Sequence, residues 1–359
     1  MLKIGIIGLE QVGKSTLFRI MTHAHGSAGA GKSETQLGVV HVPDARLGRL
    51  SAMYQPKKTI PASVEYVDTP GSVIDLARAG VQAQSLREMD ALAHVVRVFD
   101  DPSIPHSAGS VNARRDIESV ELELMLSDLA VTEKRLERLE KDIKKQKNPA
   151  LEKEFAVLKN AKAALETEKP LREMAFSAEE ERLLRGFTFF SEKPLLTVLN
   201  LGEADAARAN SAEEFAAELG FKKRPKTAAT AICGKVEAEL VELPEGEAAE
   251  FLASYGLKES AIARLIRTSY ALLGLISFFT VGEDECRAWT LRKGSTALEA
   301  AGEIHSDIQK GFIRAEVVRY DDLIASGGLA EARNHGLLRL EGKEYVVQDG
   351  EIVHFRHSG

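Results

Sequence analysis

Residues 8–15 read Gly-Leu-Glu-Gln-Val-Gly-Lys-Ser. The spacing fits G-x-x-x-x-G-K-[ST], a loop that binds phosphate. Gly8 and Gly13 let the backbone curl where a Cβ would clash. The backbone N–H groups of Glu10, Gln11, Val12, Gly13, Lys14, Ser15 and Thr16 then point at one anion, with the positive end of a helix dipole behind them. Lys14 can reach β- and γ-phosphates and meet the charge that develops there. The Ser15 hydroxyl can ligate Mg2+.

Val67-Asp68-Thr69-Pro70-Gly71 carries a second set of groups. A carboxylate at a strand end, three residues before a glycine, holds Mg2+ and senses the γ-phosphate. Asp68 is expected to act on Mg2+ through water, and the Gly71 N–H to meet the γ-phosphate. The next residue is Ser72, where a Gln would orient an attacking water. Ser is too short to do this by the same geometry. Asn200-Leu201-Gly202-Glu203 is the third set. A guanine reader is usually N-K-x-D, whose Asp accepts two hydrogen bonds from the base. Here Leu201 replaces the Lys, and Glu203, one methylene longer, replaces the Asp. A site built on one hydrogen-bond pattern discriminates steeply, so the change favours adenine or relaxed specificity. Ile232-Cys233-Gly234-Lys235 stands where a loop would close over the base.

These groups need elements to hold them. Leu2 to Ile7 is a short apolar run suited to a buried parallel strand, and Ser15 to Met21 reads as the first turns of a helix. Gly38–Val42, Val64–Asp68, His94–Phe99, Pro194–Asn200 and Thr227–Cys233 read as further strands. Strands alternating with helical segments imply a parallel α/β sheet. Gly26 to Gly31 reads as a mobile loop. From about 117, Leu122, Leu126, Leu129, Leu136, Leu139 and Ile143 recur at helical spacing. Gln146 to Pro149 breaks the pattern, and Leu151, Phe155, Leu158 and Leu165 resume it, which predicts an antiparallel coiled-coil hairpin. Its tip gathers Lys141, Lys144, Lys145 and Lys147, a basic cluster that reads either as a solvated face or as a docking point. The helix Lys258 to Gly274 closes the α/β region. The tail has strand-like pieces at Ile276–Thr280, Arg287–Leu291, Ile313–Val318 and Tyr345–Phe355.

The 359 residues allow two or three domains, and 44% apolar content suits a globular core. A net charge of −7 gives no global field for nucleic acid. Any RNA contact must come from a local patch, and no DNA sequence recognition is expected. Cys233 and Cys286 imply neither a disulfide framework nor a zinc cluster, and suit free buried thiols in a reducing compartment. The apolar N-terminal run is too short for a signal segment, and Ala271 to Val281 falls far short of a membrane span. The expectation is a cytoplasmic protein without membrane contact.

The order of these motifs resembles the YchF or Obg-like ATPase family, in the Obg branch of P-loop NTPases. Asn200 and Glu203 match the family's N-x-x-E base motif, and Ile232 to Leu240 is similar to its base-loop segment. Phe279-Thr280-Val281-Gly282, Arg287-Ala288-Trp289-Thr290, Lys310 to Val317 and Val347-Gln348-Asp349-Gly350 look like its TGS-type C-terminal domain. The resemblance covers nearly the whole chain. It implies an α/β P-loop core with a parallel-type sheet (1–116 and 171–275), an inserted antiparallel helical hairpin (117–170) and a TGS-like, β-grasp-like α+β tail (276–359). It also implies a cytoplasmic ATPase that accepts GTP, uses Mg2+ and associates with ribosomes. In the family a loop histidine in an H-x-x-G-x-V context is thought to serve catalysis, and His106-Ser107-Ala108-Gly109-Ser110-Val111 matches that context. Pro102 and Pro105 fit an exposed loop.

Three stretches depart from the family. Its loop usually reads G-x-P-N-V-G-K-S, and this chain has Glu10-Gln11 in place of Pro-Asn, the Asn being tied to a monovalent cation in related enzymes. The family threonine that ligates Mg2+ has Lys32 at its place, so Thr35 or Ser33 supplies the hydroxyl, or none does. Val73 to Gly80 replaces a glycine-rich switch. An intact phosphate loop beside two altered switches leaves two readings, a slow nucleotide-dependent switch or a nucleotide-holding scaffold without useful turnover.

Overall fold

The computed structural model describes residues 2–22, 36–69, 72–73, 81–146, 148–244 and 246–358. The expected mobile stretch Gly26–Gly31, and Ser33, Thr35, Gly71 and Lys147, lie outside them. Among the described residues the strands are β1 (Lys3–Ile7), β2 (Gln36–His41), β3 (Lys58–Ile60), β4 (Ser63–Asp68), β5 (Ala91–Arg97), β6 (Leu195–Asn200), β7 (Thr227–Ile232), β8 (Leu275–Thr280), β9 (Glu285–Arg292), β10 (Phe312–Val318), β11 (Arg339–Glu341) and β12 (Ile352–His357). The chain divides into two compact units, Met1–Val39 with Glu65–Thr268, and Val40–Val64 with Ser269–Gly359.

The first unit is built on a sheet of order β2-β4-β1-β5-β6-β7. β4, β1, β5, β6 and β7 are joined in parallel. Every residue of β5 and of β6 is buried, as expected of central parallel strands covered on both faces. Strand order reverses around β1, so the crevice at the carboxyl ends of the strands is a ligand position. Those ends carry Gly8, Asp68, Arg97, Asn200 and Ile232. Residues 194–200 and 2–7 thus share one sheet through β5.

The hairpin belongs to this unit. One helix runs Ala113–Lys145, capped by Asn112, whose side chain accepts from the Arg115 N–H at 3.1 Å. The return helix Pro149–Glu166 has Asn148 as its cap and Pro149 in its first turn, so the chain break the sequence signals is also a helix start. Leu136, Leu139, Leu158, Ala161 and Leu165 form its core.

At the hairpin base the buried face differs from the expected leucine stripe. Leu122 and Leu126 are exposed, at 39% and 47%, while Val120, Leu124 and Met125 are buried. Asp128 shares the buried face and is fully enclosed. Its carboxylate accepts from the backbone N–H groups of Phe190 (3.0 Å) and Ser191 (2.7 Å) and from Arg87 (3.2 Å). A polar residue with this task looks like a solvent position to a periodicity count, which rotates the inferred face. Burial pushes the Asp128 pKa up against those bonds. Asp128→Ala strands two buried N–H donors and takes one of the acceptors of the Arg87 guanidinium. It is expected to lower the unfolding free energy by about 3–5 kcal/mol in urea titration. A loss under about 1 kcal/mol would remove Asp128 from the account of stability.

The second unit is a mixed sheet of order β11-β10-β12-β8-β9-β3. Ile276, Phe278, Leu291, Val317, Val353 and Phe355 pack against the helix Ala297–Ile304, which opens on a capping box of Thr296 and Glu299. Residues 40–64, expected within the nucleotide core, pack here instead. β3 pairs in parallel with β9, and Arg46 donates to Asp349 at 2.7 Å and to Asp44 at 2.8 Å. Such pairing is set by partners more than 200 residues away in sequence, which no local pattern carries. The expected strand Tyr345–Phe355 is also shorter, starting at Ile352 after a turn where Gly350 takes φ +85°.

Candidate nucleotide-binding site

β1 ends at Ile7 and a helix begins at Lys14. The loop between them turns on left-handed residues, Gly8 (φ +147°), Gln11 (φ +58°) and Gly13 (φ +99°). A Cβ on Gly8 would stand 2.5 Å from the Val95 carbonyl oxygen, and one on Gly13 would stand 2.5 Å from Asn200 Nδ2. Both glycines are therefore fixed by conformation and by space. Val12 is buried beneath the loop, while Glu10, Gln11 and Ser15 are exposed and Thr16 is half-buried.

Lys14 folds back over the loop, donating to the carbonyl oxygens of Gly8 (3.0 Å) and Leu9 (2.6 Å). Burial pushes its pKa down to about 8, opposed by the charges of Asp68 and Glu10. Asp68 lies at the end of β4, opposite Ile6 of β1, and is 6% exposed. Its Oδ1 is buried without a hydrogen-bond partner among the described residues. A buried carboxylate oxygen with no donor among the described residues, whose charge reaches Lys14, the neighbour of the exposed Ser15, fits a hydrated Mg2+. Among the described residues no three His, Cys, Asp or Glu side chains gather into a metal cage. A Mg2+ held through water, one hydroxyl and phosphate oxygens needs none. One buried group escaped the sequence reading, where it passed as part of an apolar run. His94 of β5 is fully enclosed, with its pKa pushed down to about 3 by burial and then by the charge of Lys14.

Asn200, at the end of β6, joins the two ends of the site. Its Nδ2 donates to the Val12 carbonyl at 2.9 Å, and its Oδ1 accepts from the Gly234 N–H at 3.1 Å. Both amide atoms therefore bind protein, tying the phosphate loop to the segment after β7. Leu201, Ile232 and Cys233 are buried, so what they offer a base comes from their backbone. In particular Leu201 packs into the core with Ala206, Ala231 and Val236 and does not lie along a ring as the usual Lys would. Glu203 is partly exposed and receives Lys235 Nζ at 2.6 Å. That pair, joining the base motif to the base loop, was not anticipated from spacing.

The loop around His106 is exposed at Pro102, Ser103, Pro105 and Ser107 to Ser110, as its prolines suggest, but the His106 side chain turns inward and is 3% exposed. Nε2 lies 2.9 Å from Asp116 Oδ2, and Nδ1 accepts from the Ala108 N–H at 3.1 Å. What the prolines do not show is the residue that holds the segment from within. Arg97, 1% exposed at the end of β5, donates to the carbonyl oxygens of Phe99, Asp101 and Ile104 at 3.1, 3.2 and 3.0 Å. A charged residue closing an otherwise apolar strand was the available signal, since a guanidinium there must find acceptors. The loop is also rooted at the base motif, where Val98 N donates to the Asn200 carbonyl at 2.9 Å.

Comparison with known proteins agrees along the whole chain. The YchF-GTPase_C family model, described as a protein of unknown function, matches residues 275–358, and the MMR_HSR1 model, described as 50S ribosome-binding GTPase, matches residues 3–160. The ribosome-binding ATPase YchF of Bacillus subtilis is 43% identical over 365 residues, covering 99% of each chain. That of Escherichia coli O157:H7 is 38% identical over 98% of each. The solved structure of the Schizosaccharomyces pombe YchF GTPase superimposes with a TM-score of 0.82 at 31% identity, covering 99% of this chain and 97% of that one. Among the described residues no helix is long and apolar enough to cross a membrane. With this identity sustained over nearly its full length, the chain belongs to the YchF family of P-loop NTPases.

Proposed function

We propose that this chain is a Mg2+-dependent nucleoside triphosphatase that uses ATP, also accepts GTP, and works as a ribosome-associated switch in the cytoplasm. The observation that carries the reading is Lys14, folded onto a loop with two spatially fixed glycines, with the charge of Asp68, whose Oδ1 has no partner among the described residues, acting on it. The relatives named ribosome-binding ATPases support the choice of nucleotide and partner.

In this reading the loop amides and Lys14 bind the phosphates. Ser15, with Thr35 as a further hydroxyl, and Asp68 through water hold Mg2+, which when bound neutralises phosphate charge. The Gly71 N–H meets the γ-phosphate. His106 positions the attacking water that Ser72 is too short to hold. Asn200 keeps the base loop registered on the phosphate loop, and backbone groups of Leu201, Ile232, Cys233 and Gly234 line the base with Glu203. The scaffold reading has one observation in its favour, that both ring nitrogens of His106 are already bonded within the protein. Single-turnover phosphate release from ATP, with and without ribosomes, separates the two. Release that ribosomes accelerate supports the switch, and none in either condition supports the scaffold.

ATP is expected to bind at least as tightly as GTP. Glu203 is longer than the usual guanine-clamping Asp and is drawn toward Lys235. Glu203→Asp with Leu201→Lys should move preference toward GTP in competition titration. Wild-type affinity for GTP more than tenfold above that for ATP, about 1.4 kcal/mol, would overturn this account of the base site.

A further inference from the structure

We infer that Asp116 is a positioning residue for hydrolysis. It fixes His106 in the tautomer with hydrogen on Nε2, which leaves Nδ1 as the ring's acceptor for a water. This rests on the reading of His106 as the water-positioning group. Two bonds select the tautomer independently. Nε2 lies 2.9 Å from Asp116 Oδ2, and a carboxylate accepts, so Nε2 is the donor. Nδ1 lies 3.1 Å from the Ala108 N, and a backbone N–H only donates, so Nδ1 holds the lone pair.

Asp116 is itself held. Arg115 donates to its Oδ1 through Nε at 3.0 Å and through a terminal nitrogen at 2.8 Å, and also donates to the Ser110 carbonyl at 2.6 Å. The Asp116 N–H donates to the Asn112 carbonyl at 3.0 Å, in the first turn of the helix Ala113–Lys145. A carboxylate near a helix N-terminus lies on the favourable side of the dipole. Both His106 and Asp116 side chains are 3% exposed, so water does not compete for their bond. The chain Arg115–Asp116–His106 therefore has a fixed direction, with Oδ1 given to the guanidinium and Oδ2 to the imidazole. This is how a carboxylate orients a histidine in hydrolytic triads.

The bond at Nδ1 differs in kind. It joins residues two apart within the loop, and a water can replace the Ala108 N–H without disturbing Asp116. Arg97 anchors the loop as far as Ile104, and the Asn112 cap closes it on the other side. Adjustment is thereby confined to the few residues around His106.

The test uses the full-length protein with 15N-labelled histidine, in mildly alkaline solution where an ordinary imidazole is neutral. Nine histidines are present, and His106→Gln assigns the signal. Wild-type His106 is expected to show a protonated Nε2 and an unprotonated Nδ1, and Asp116→Asn to lose that bias. In ATPase assays Asp116→Asn should lower kcat about five- to tenfold with KM for ATP changed less than about twofold. In a His106→Ala background it should add less than about twofold. A wild-type ring protonated at Nδ1 overturns the inference without any variant. An equal loss in both backgrounds overturns it too, marking Asp116 as merely structural. Should His106→Ala slow turnover and Asp116→Asn not, this inference alone fails. Should His106→Ala leave turnover unchanged, the role of His106 fails first and that of Asp116 with it.

Discussion

Lys14→Ala should abolish nucleotide binding or nearly so. In the free protein the Lys14 amine bonds to two loop carbonyls and sits beside the Asp68 charge. A triphosphate offers it better acceptors, and a hydrogen bond to a charged group contributes about 1.5–3 kcal/mol. With at least one such bond lost, affinity should fall by about tenfold to more than a hundredfold in calorimetric or fluorescence titration. Unchanged affinity would show that the phosphate loop does not bind phosphate. The depressed pKa adds a dependence that the alanine variant must lose. Burial pushes the pKa of free Lys14 down to about 8, and a bound triphosphate is expected to hold it protonated. Affinity should therefore fall as pH rises above that value, by about tenfold at one unit above it if the bound form stays charged. For folding the sign is opposite. Between a folded value of about 8 and an unfolded value near 10.4, the unfolded chain binds more protons, so the nucleotide-free protein gains stability as pH rises through that window.

The parts of this site that a sequence displays are those whose chemistry is local. Gly8, Gly13, Lys14 and Ser15 are adjacent, and their spacing alone implies the strand before them and the helix after. Asp68 and Asn200 are legible because each ends an apolar strand, so their place along the sheet follows from the α/β pattern. Other groups acquire meaning only when distant backbone arrives. Arg97 is one charge at a strand end until three carbonyls close on it, and Asp116 is one of many acids on a charged helix until His106 reaches it. Asp128 stands out in no local pattern because its partners lie more than 60 residues away. Residues 40–64 were placed with the wrong neighbours for the same reason, since an edge pairing such as β3 with β9 has no signature in either strand. Glu203 and Lys235 show the same limit: each lies in a legible motif, but the bond between them is visible only in the fold.

His106→Ala should lower kcat by at least about tenfold, toward the 10²–10⁴-fold typical of acid–base groups, and leave nucleotide affinity nearly unchanged. The argument is one of timing. Lys14, Ser15 and the loop amides meet phosphates that are present in the ground state, so their loss appears in binding. A group that aligns water acts mainly in the transition state, so its loss appears in kcat. The structure sharpens the expectation, because the hydrogen bonds that the His106 ring makes among the described residues go to Asp116 and Ala108 and not to the phosphate loop. Removing it cannot loosen the phosphate loop, whose conformation is set by Gly8, Gly13 and Asn200. A rise in the Kd for a non-hydrolysable triphosphate comparable to the fall in kcat would mean that His106 shapes the site and does not act on water. Equal turnover in wild type and variant would remove His106 from the mechanism and leave an external partner, or Ser72 through a water, to position the nucleophile. Turnover undetectable in the wild type even with ribosomes would make the bonded His106 a resting structure and the protein a nucleotide-holding scaffold.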